Sequence, residues 1–513
     1  MAWILSRGEK TYIVIIIIPM PFILSLDEGT TSARAALYDQ EARRVSLAAV
    51  PTVSQFPQPG WVEQDPLQIW QAQMRAVSNA FGLSGYGAAD VQAIGITNQR
   101  ETTVVWDRQS GQPVAPAIVW QCRRTAARCR ELAEHAAAIT RKSGLVVDAY
   151  FSGTKIAWIL DNVAGARAKA ANGDLLFGNI DTWLIWNLTG GRVHVTDPTN
   201  ASRTMLMNLA TGEWDDELLA LLHVPRTMLP AIVPSCSVAG YTDASVFGAE
   251  VPIAGIAGDQ QAALAGQACF TKGLSKNTYG TGCFALLHAG DSEPVSGNRL
   301  LATRAASTGT KAQFAVEGSI FIAGAAVQWL RDKLGIIASA PETEAIAASV
   351  PDTGGVYLVP AFVGLGAPHW DAEARGEITG LTLGTGRAEI VRATLESMAY
   401  QTRELTQAME ADSGTQLAEL RVDGGAAANQ FLMQFQADML DRPVVRPADA
   451  ETTALGAAFL AGLATGFWKS EAEVQAFWRA DRRFEPQMAA SERDRLWGGW
   501  QHAVAKARTA AKH

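Results

Sequence analysis

The chain has too little basic charge to serve nucleic acid. Its 43 Lys and Arg are outnumbered by 51 Asp and Glu, leaving a net charge of −8, and neutralising a phosphate backbone needs the opposite balance. Cysteine is scarce as well: five in 513 residues, at positions 122, 129, 236, 269 and 283. They are odd in number and none forms a C-x-x-C pair. That excludes a fully paired disulfide framework and a Cys-ligated zinc site, and fits reduced thiols in the cytoplasm. None of the seven histidines stands at metal-ligand spacing. Only one long apolar run exists, Tyr12 to Leu26, interrupted by Pro19 and Pro21. At about 15 residues it falls short of the roughly 20 that a membrane helix needs. It ends in no small-residue cleavage site and flows straight into a strand pattern. Residues 1–20 therefore read as an extension of unknown role ahead of a buried strand, for which an early start codon is one source.

Two familiar phosphate machines are also missing. The dipeptide Gly-Lys occurs nowhere, so there is no G-x-x-x-x-G-K-[ST] loop, and no H-R-D catalytic loop is present.

What remains is a chain long enough for two to four domains at about 150 residues each. It is 48% hydrophobic and 18% charged, with 46 glycines, the composition of a soluble α/β enzyme. Strands are expected at Val91–Thr97, Ile253–Ile256 and Val356–Val359, and helices at Arg124–Ile139, Glu344–Val350 and Glu389–Met409. Their alternation argues an α/β architecture. An internal echo adds to this. Leu24-Ser-Leu-Asp-Glu-Gly-Thr-Thr and Leu274-Ser-Lys-Asn-Thr-Tyr-Gly-Thr-Gly both read strand, small-residue turn, strand, and they open opposite halves of the chain. Two similar domains facing a cleft are the implied arrangement.

The first of these turns, Asp27-Glu28-Gly29-Thr30-Thr31-Ser32, ends a strand in a carboxylate. Backbone N–H groups and hydroxyls there can surround a phosphate, and the carboxylate can hold Mg²⁺ directly or through water. Alone, the hexapeptide equally reads as an ordinary hairpin turn. The second turn, Tyr279-Gly280-Thr281-Gly282, would close on the phosphates from the other side. Val422-Asp-Gly-Gly425 leading to Asn429 brings a strand, a Gly-Gly turn and a helix start together, suited to a base or a phosphate or simply to tight packing. Asn98-Gln-Arg100-Glu101 supplies a donor fork and an acceptor that suit neighbouring hydroxyls of a small polyol. Gly258-Asp259-Gln260 places a carboxylate where it can take a hydroxyl proton, or cap a helix, or do both. Trp120, Tyr150 and Phe284 are candidate apolar walls.

Taken together, these residues resemble the FGGY sugar-kinase family of the actin-like ATPase fold, and within it the glycerol kinases. The resemblance spans about residues 22 to 505. It is carried by Gly95-Ile-Thr-Asn-Gln-Arg-Glu-Thr-Thr-Val-Val-Trp-Asp107, Asp181-Thr-Trp-Leu-Ile-Trp186, Val193-His-Val-Thr-Asp-Pro-Thr-Asn-Ala-Ser-Arg-Thr204 and Gly255-Ile-Ala-Gly-Asp-Gln-Gln261. It implies two actin-like (ribonuclease H-like) α/β domains facing a central cleft, 21–266 for glycerol and phosphate and 267–513 for nucleotide. It implies ATP-dependent phosphorylation of glycerol to glycerol 3-phosphate, with ATP and Mg²⁺ as cofactors. Carried over, Arg100, Glu101, Trp120, Tyr150, Asp259, Gln260 and Phe284 would bind glycerol, Asp259 being the general base. Asp27 and Asp259 would organise Mg²⁺. Thr30, Thr31, Ser32, Arg34, Thr281, Gly324, Gln328, Gly425 and Asn429 would serve the nucleotide. A cytoplasmic homodimer or homotetramer, with neither nucleic acid nor membrane as partner, completes the expectation.

Departures from the family pattern matter. Glu28 stands where Gln is usual and Ala33 where Ser is, so an extra negative charge beside the phosphates should cost nucleotide affinity unless Glu28 points away or is neutralised. Cys122 replaces the usual Asp or Ser, and Ala149 a common Pro. Some bacterial members bind fructose 1,6-bisphosphate through a Gly-Gly-Thr-Arg loop; here the stretch is Phe247-Gly248-Ala249-Glu250, whose Glu should repel phosphate. Residues 235–252 contain no His, so a His-phosphorylation switch is not expected either. Two rivals share the fold: a sister kinase acting on a ketopentose or longer polyol, and a non-catalytic ATP-binding module. The Arg100-Glu101 and Asp259-Gln260 pairs argue against both.

Overall fold

Apolar segments punctuated by small-residue turns pair into two mixed sheets of one topology. The computed structural model describes residues 2–7, 10–15 and 21–509. In the first half, Phe22–Glu28, Ser32–Tyr38 and Arg44–Pro51 form an antiparallel meander. Val91–Asn98 and then Pro252–Gly258 add parallel strands on the other side of Phe22–Glu28, with Cys236–Tyr241 at the edge. The second half repeats this order. Leu274–Tyr279, Cys283–Gly290 and Phe314–Ile320 form the meander, and Glu419–Asp423 and Val444–Pro447 run parallel beside it. Both hairpins of the sequence echo thus sit at the centres of their sheets.

Central strands covered on two faces read as unbroken apolar runs, and all seven residues of Phe22–Glu28 are buried. Leu24 and Leu26 pack with Ile69 and Ala76 of helix Pro66–Ser84 and with Trp183 and Leu184 of helix Ile180–Leu188. The first of these helices is well delimited: Asp65 accepts the Leu67 N–H at 2.9 Å, proline follows, and Gly85 closes it at φ +77°. On the opposite face, Ile23 packs with Ala454, Leu455 and Ala458 of helix Thr452–Ala464. That helix belongs to the second half of the sequence, so the chain crosses back to complete the first core. It lies against helix Asp259–Gly266 at backbone distance. A Cβ on Gly266 would stand 1.8 Å from the Thr452 carbonyl oxygen, and one on Gly456 1.8 Å from that of Ala262.

The expected strands and two of the expected helices are present with small shifts of boundary. The third helix, Arg124–Ile139, is not continuous: Ala126–Glu131 and Ala136–Ser143 are separated by the 3₁₀ turn Leu132–His135. Between the buried Leu132 and Ile139 nothing is fully buried, so packing does not hold that stretch straight. Ahead of the first domain, Ala2–Arg7 and Lys10–Ile15 pair into a two-stranded sheet of their own. The rest of the apolar extension, residues 16–20, lies outside the described residues. Among the described residues no helix is long and apolar enough to cross a membrane.

Candidate active site

Parallel pairing aligns the carboxyl ends of Phe22–Glu28, Val91–Asn98 and Pro252–Gly258, which is where open α/β sheets present ligand-binding loops. Asp27, Arg100-Glu101 and Asp259 leave the sheet there side by side. Glu101 holds φ at +60°, an uncommon conformation for a non-glycine residue and one found at functional sites.

Arg100 and Glu101 are both buried. The Arg100 Nε lies 3.0 Å from Asp259 Oδ1, and the Asp259 side chain is 32% exposed. Glu101 accepts from Arg203 Nε at 2.6 Å. Trp120 and Tyr150 meet edge to face, 5.6 Å between ring centroids, and the indole N–H of Trp120 donates to Thr30 Oγ1 at 2.9 Å. The pocket wall is thereby tied to the first small-residue turn. Buried Lys155 donates to the carbonyl oxygens of Glu101 (3.1 Å) and Tyr150 (2.6 Å), and burial pushes its ammonium down to about 7. The structure brings Arg100, Glu101, Trp120, Tyr150, Asp259 and Gln260 together in the first domain. Phe284 comes from the second sheet, directly opposite Thr278 in register and half-buried. The Nε edge of a buried guanidinium, a fixed acceptor and aromatic walls suit a small molecule with adjacent hydroxyls. A partly exposed carboxylate beside them suits proton abstraction. Asp259 is the first helical residue rather than the cap: Gly258 holds the cap position and Asp259 Oδ1 accepts the Gln260 N–H at 2.7 Å.

The two small-residue turns face the cleft between the domains. In the first, Thr31 is exposed and Thr30 and Ser32 half-buried. Arg34 reaches Glu451 at 2.9 Å and Asp27 at 3.9 Å. Burial, followed by the nearby charges of Asp259 and Glu451, raises Asp27 to about 7 against the pull of Arg34. In the second, Gly280 N–H bonds to the Gly282 carbonyl at 2.8 Å, and Gly324 N–H to that of Gly280 at 3.1 Å. Thr281 is left exposed. Helix Gly324–Asp332 starts against this turn, and its first N–H groups are tied to it: the Thr281 carbonyl accepts from Ala323 at 2.9 Å and from Ala325 at 3.0 Å.

Beyond lies a cavity of about 460 Å³ lined by Thr281, Gly324, Gln328, Gly425 and Asn429, with Thr343 and Glu344 across from them. Asn429 is a wall whose amide is engaged at both ends: Oδ1 accepts from Leu432 N–H at 2.9 Å and Nδ2 donates to Thr343 at 3.2 Å. Gly424, at φ +85°, lies so near Tyr279 that a Cβ would stand 2.4 Å from its carbonyl oxygen.

Strand alternation turns Glu28 to the Leu24–Leu26 face, away from Asp27. It is fully buried with neither carboxylate oxygen partnered. Keeping a proton on it costs about 1.4 kcal/mol per pH unit, less than burying an unpaired ion. Burial accordingly holds it well above the ordinary carboxylate range. Cys122 is buried and accepts from Arg124 Nε at 3.0 Å.

Four charged residues escaped the sequence reading: Lys155, Arg203, Lys276 and Glu317, each nearly or fully buried. Glu317 interrupts the largely apolar strand Phe314–Ile320, which is the signal that would have found it; Lys276 stands among Ser275, Asn277 and Thr278, with no such signal. Arg203 lay within a quoted segment, with nothing local to mark it.

Comparison with known proteins supplies the context. Models of the FGGY family of carbohydrate kinases match residues 22–266 (N-terminal domain) and 275–465 (C-terminal domain). The chain is 60% identical over 489 residues to the glycerol kinase of Symbiobacterium thermophilum, covering 95% of this chain and 98% of that one. It is 58% identical over 489 residues to glycerol kinase 2 of Thermotoga maritima, covering 95% and 99%. A crystal structure of Plasmodium falciparum glycerol kinase with ADP shares its fold at a TM-score of 0.92 and 36% identity, covering 96% and 99%.

Proposed function

The chain belongs to the FGGY family of carbohydrate kinases, and from that premise we propose that it phosphorylates glycerol with ATP, giving glycerol 3-phosphate and ADP. The observation that carries this is the facing of two half-sites. A buried guanidinium edge and an acceptor beside a partly exposed carboxylate stand on one domain, and a roomy cleft at a helix N-terminus on the other.

In the mechanism that follows, Arg100, Glu101, Tyr150 and Gln260 hold the hydroxyls while Trp120 and Phe284 flank the carbon backbone. Asp259 accepts the proton of the attacking hydroxyl as its oxygen bonds to the terminal phosphorus, and the bond to the ADP oxygen breaks in line. Positioning and charge neutralisation carry most of such a reaction. Thr30, Thr31, Ser32 and Arg34 on one side, and the Thr281 turn on the other, supply donors to the phosphates. Gln328, Gly425 and Asn429 line the nucleoside side. The donor set fits Mg²⁺: the charge of Asp259 disfavours ionisation of Asp27, a repulsion that a hard cation relieves. These two would hold it, directly or through water, and it would neutralise phosphate charge. The reading extends to a cytoplasmic enzyme, in keeping with free cysteines, assembled as a homodimer or homotetramer. With exposed Glu250 in its loop, fructose 1,6-bisphosphate should inhibit weakly or not at all.

The test is ADP release from ATP and Mg²⁺ with glycerol, with a ketopentose and with no acceptor, for wild type and Asp259→Asn. ADP made only with glycerol and lost in the variant supports the reading. Preference for the ketopentose overturns the acceptor assignment.

A further inference from the structure

The glycerol-binding side chains of the proposed reading all but one belong to the first domain, yet two of them are held by charged groups from the second. Pairing places Lys276 opposite Leu286 and Leu286 opposite Glu317, with Thr278, Phe284 and Ser319 in the next row. Directly opposed residues share a face, so Lys276, Glu317 and Phe284 leave the second sheet on the same side.

Glu317, 2% exposed, takes the whole fork of Arg100: Nη1 to Oε2 at 2.5 Å and Nη2 to Oε1 at 3.0 Å. Its Oε1 also accepts from Arg203 Nη2 at 3.2 Å, and Arg203 in turn grips Glu101 at 2.6 Å. Two buried arginines and two buried glutamates form a closed, electrically balanced quartet. With both terminal nitrogens of Arg100 held, its Nε edge is what faces Asp259. Lys276, fully buried, donates to the Gln260 side-chain oxygen and to Thr278 Oγ1. It fixes which end of the Gln260 amide is left for a ligand. A second bridge runs alongside, from Arg100 to Gln261 (3.3 Å) and from Gln261 to Thr303 (3.0 Å) of the second domain.

We propose that Glu317 and Lys276 are positioning residues for the acceptor: the second domain sets the orientation of Arg100 and Gln260, so that glycerol affinity depends on a cross-cleft contact made by residues that need not touch glycerol. Bidentate pairing fixes a guanidinium plane in a way that a single charge does not. Without Glu317 the Arg100 guanidinium is free to swing towards Asp259 and Glu101, which leaves its Nε edge misaligned for the hydroxyls. The inference rests on the glycerol kinase reading, and the experiment separates the two.

Steady-state kinetics of the full chain with varied glycerol and varied ATP are measured for wild type, Glu317→Gln, Glu317→Asp and Lys276→Met. Glycerol binding is followed in parallel, without nucleotide, by tryptophan fluorescence. Absence of glycerol-dependent ADP from wild type defeats the underlying reading. With an active wild type, Glu317→Gln should raise the KM for glycerol about tenfold or more while the KM for ATP stays within about twofold, and fluorescence should show the same loss of glycerol affinity. Glu317→Asp keeps the buried charge balance, and therefore the fold, but is one methylene too short to span both arginines. It should show the same split, and it decides the matter if Glu317→Gln does not accumulate. Lys276→Met should shift glycerol alone, by a smaller factor. A folded Glu317→Asp with unchanged glycerol KM, or one whose only defect is thermal stability, overturns the proposal.

Discussion

The two halves of the cleft are built by different means for the ligands proposed to bind them. Around Arg100, the proposed recognition is written in side chains. Arg100, Glu101, Arg203 and Glu317 are each at most 3% exposed, and each is held by a partner within 3.2 Å. In the second-domain cleft it is written in backbone. Gly280, Gly324, Gly424 and Gly425 bring main-chain atoms to the surface, and around them buried side chains such as Val327 and Leu395 alternate with half-buried or exposed ones such as Asn429 and Gln328. The difference follows from the ligands of the proposed reaction. A three-carbon polyol offers little area, so its affinity must come from charged donors fixed before it arrives. A nucleotide offers phosphates that the N–H groups and hydroxyls of small-residue turns can take, and a flat base that any smooth wall accommodates.

If that contrast is right, side-chain changes should damage the first region and backbone changes the second. The largest effect is expected from Asp259→Asn, which removes the proposed base: kcat should fall by about 10²–10⁴-fold with the melting temperature nearly unchanged, as checked by ADP release and thermal unfolding. Asp27→Asn should follow, with activity down about 10²-fold but a more stable protein. The sign comes from proton binding. The ordinary value of 3.8 is raised to about 7 in the folded chain, so between those values the folded state binds more proton than the unfolded one. Stability from this group therefore falls as pH rises through that window. Melting curves at pH 5 and pH 8 should show the variant gaining more over wild type at pH 8; an equal gain would mean that Asp27 ionises normally.

Gly424→Ala should break the second region selectively. Its positive φ and the nearby Tyr279 carbonyl oxygen make a methyl group costly by about 1–3 kcal/mol. The KM for ATP should rise several-fold with that for glycerol little changed. An equal effect on both would erase the contrast. The smallest effect is expected of Glu28→Gln. If Glu28 is neutral and turned away from the phosphates, kcat and the KM for ATP should stay within about twofold at pH 7. Stability should improve by a margin that grows as pH rises above the ordinary carboxylate range, because the folded acid keeps a proton that the unfolded chain has lost.

Much of the fold was legible because it depends on local pattern. Alternating strands and helices, and the recurrence of a strand–turn–strand unit at Leu24 and Leu274, already imply two like domains. The site residues adjacent in sequence, Arg100-Glu101 and Asp259-Gln260, were visible for the same reason: their types and spacing carry chemistry wherever the chain folds. The charge balance and the missing Gly-Lys and H-R-D motifs were equally legible, since they are read from the residues directly.

Tertiary structure alone decided the rest. No pattern announces that helix Thr452–Ala464 returns to the first sheet, because Gly266 and Gly456 acquire meaning only when they meet. The continuous helix expected at Arg124–Ile139 was lost for want of buried contacts. Arg203, Glu317 and Lys276 are ordinary charged residues until the cleft removes water from around them. A buried charge must find a partner, and that partner is chosen by which strands lie opposite across the cleft, at separations of 114 and 217 residues. Local sequence sets propensity and chemistry; pairing at such distances is set by the fold.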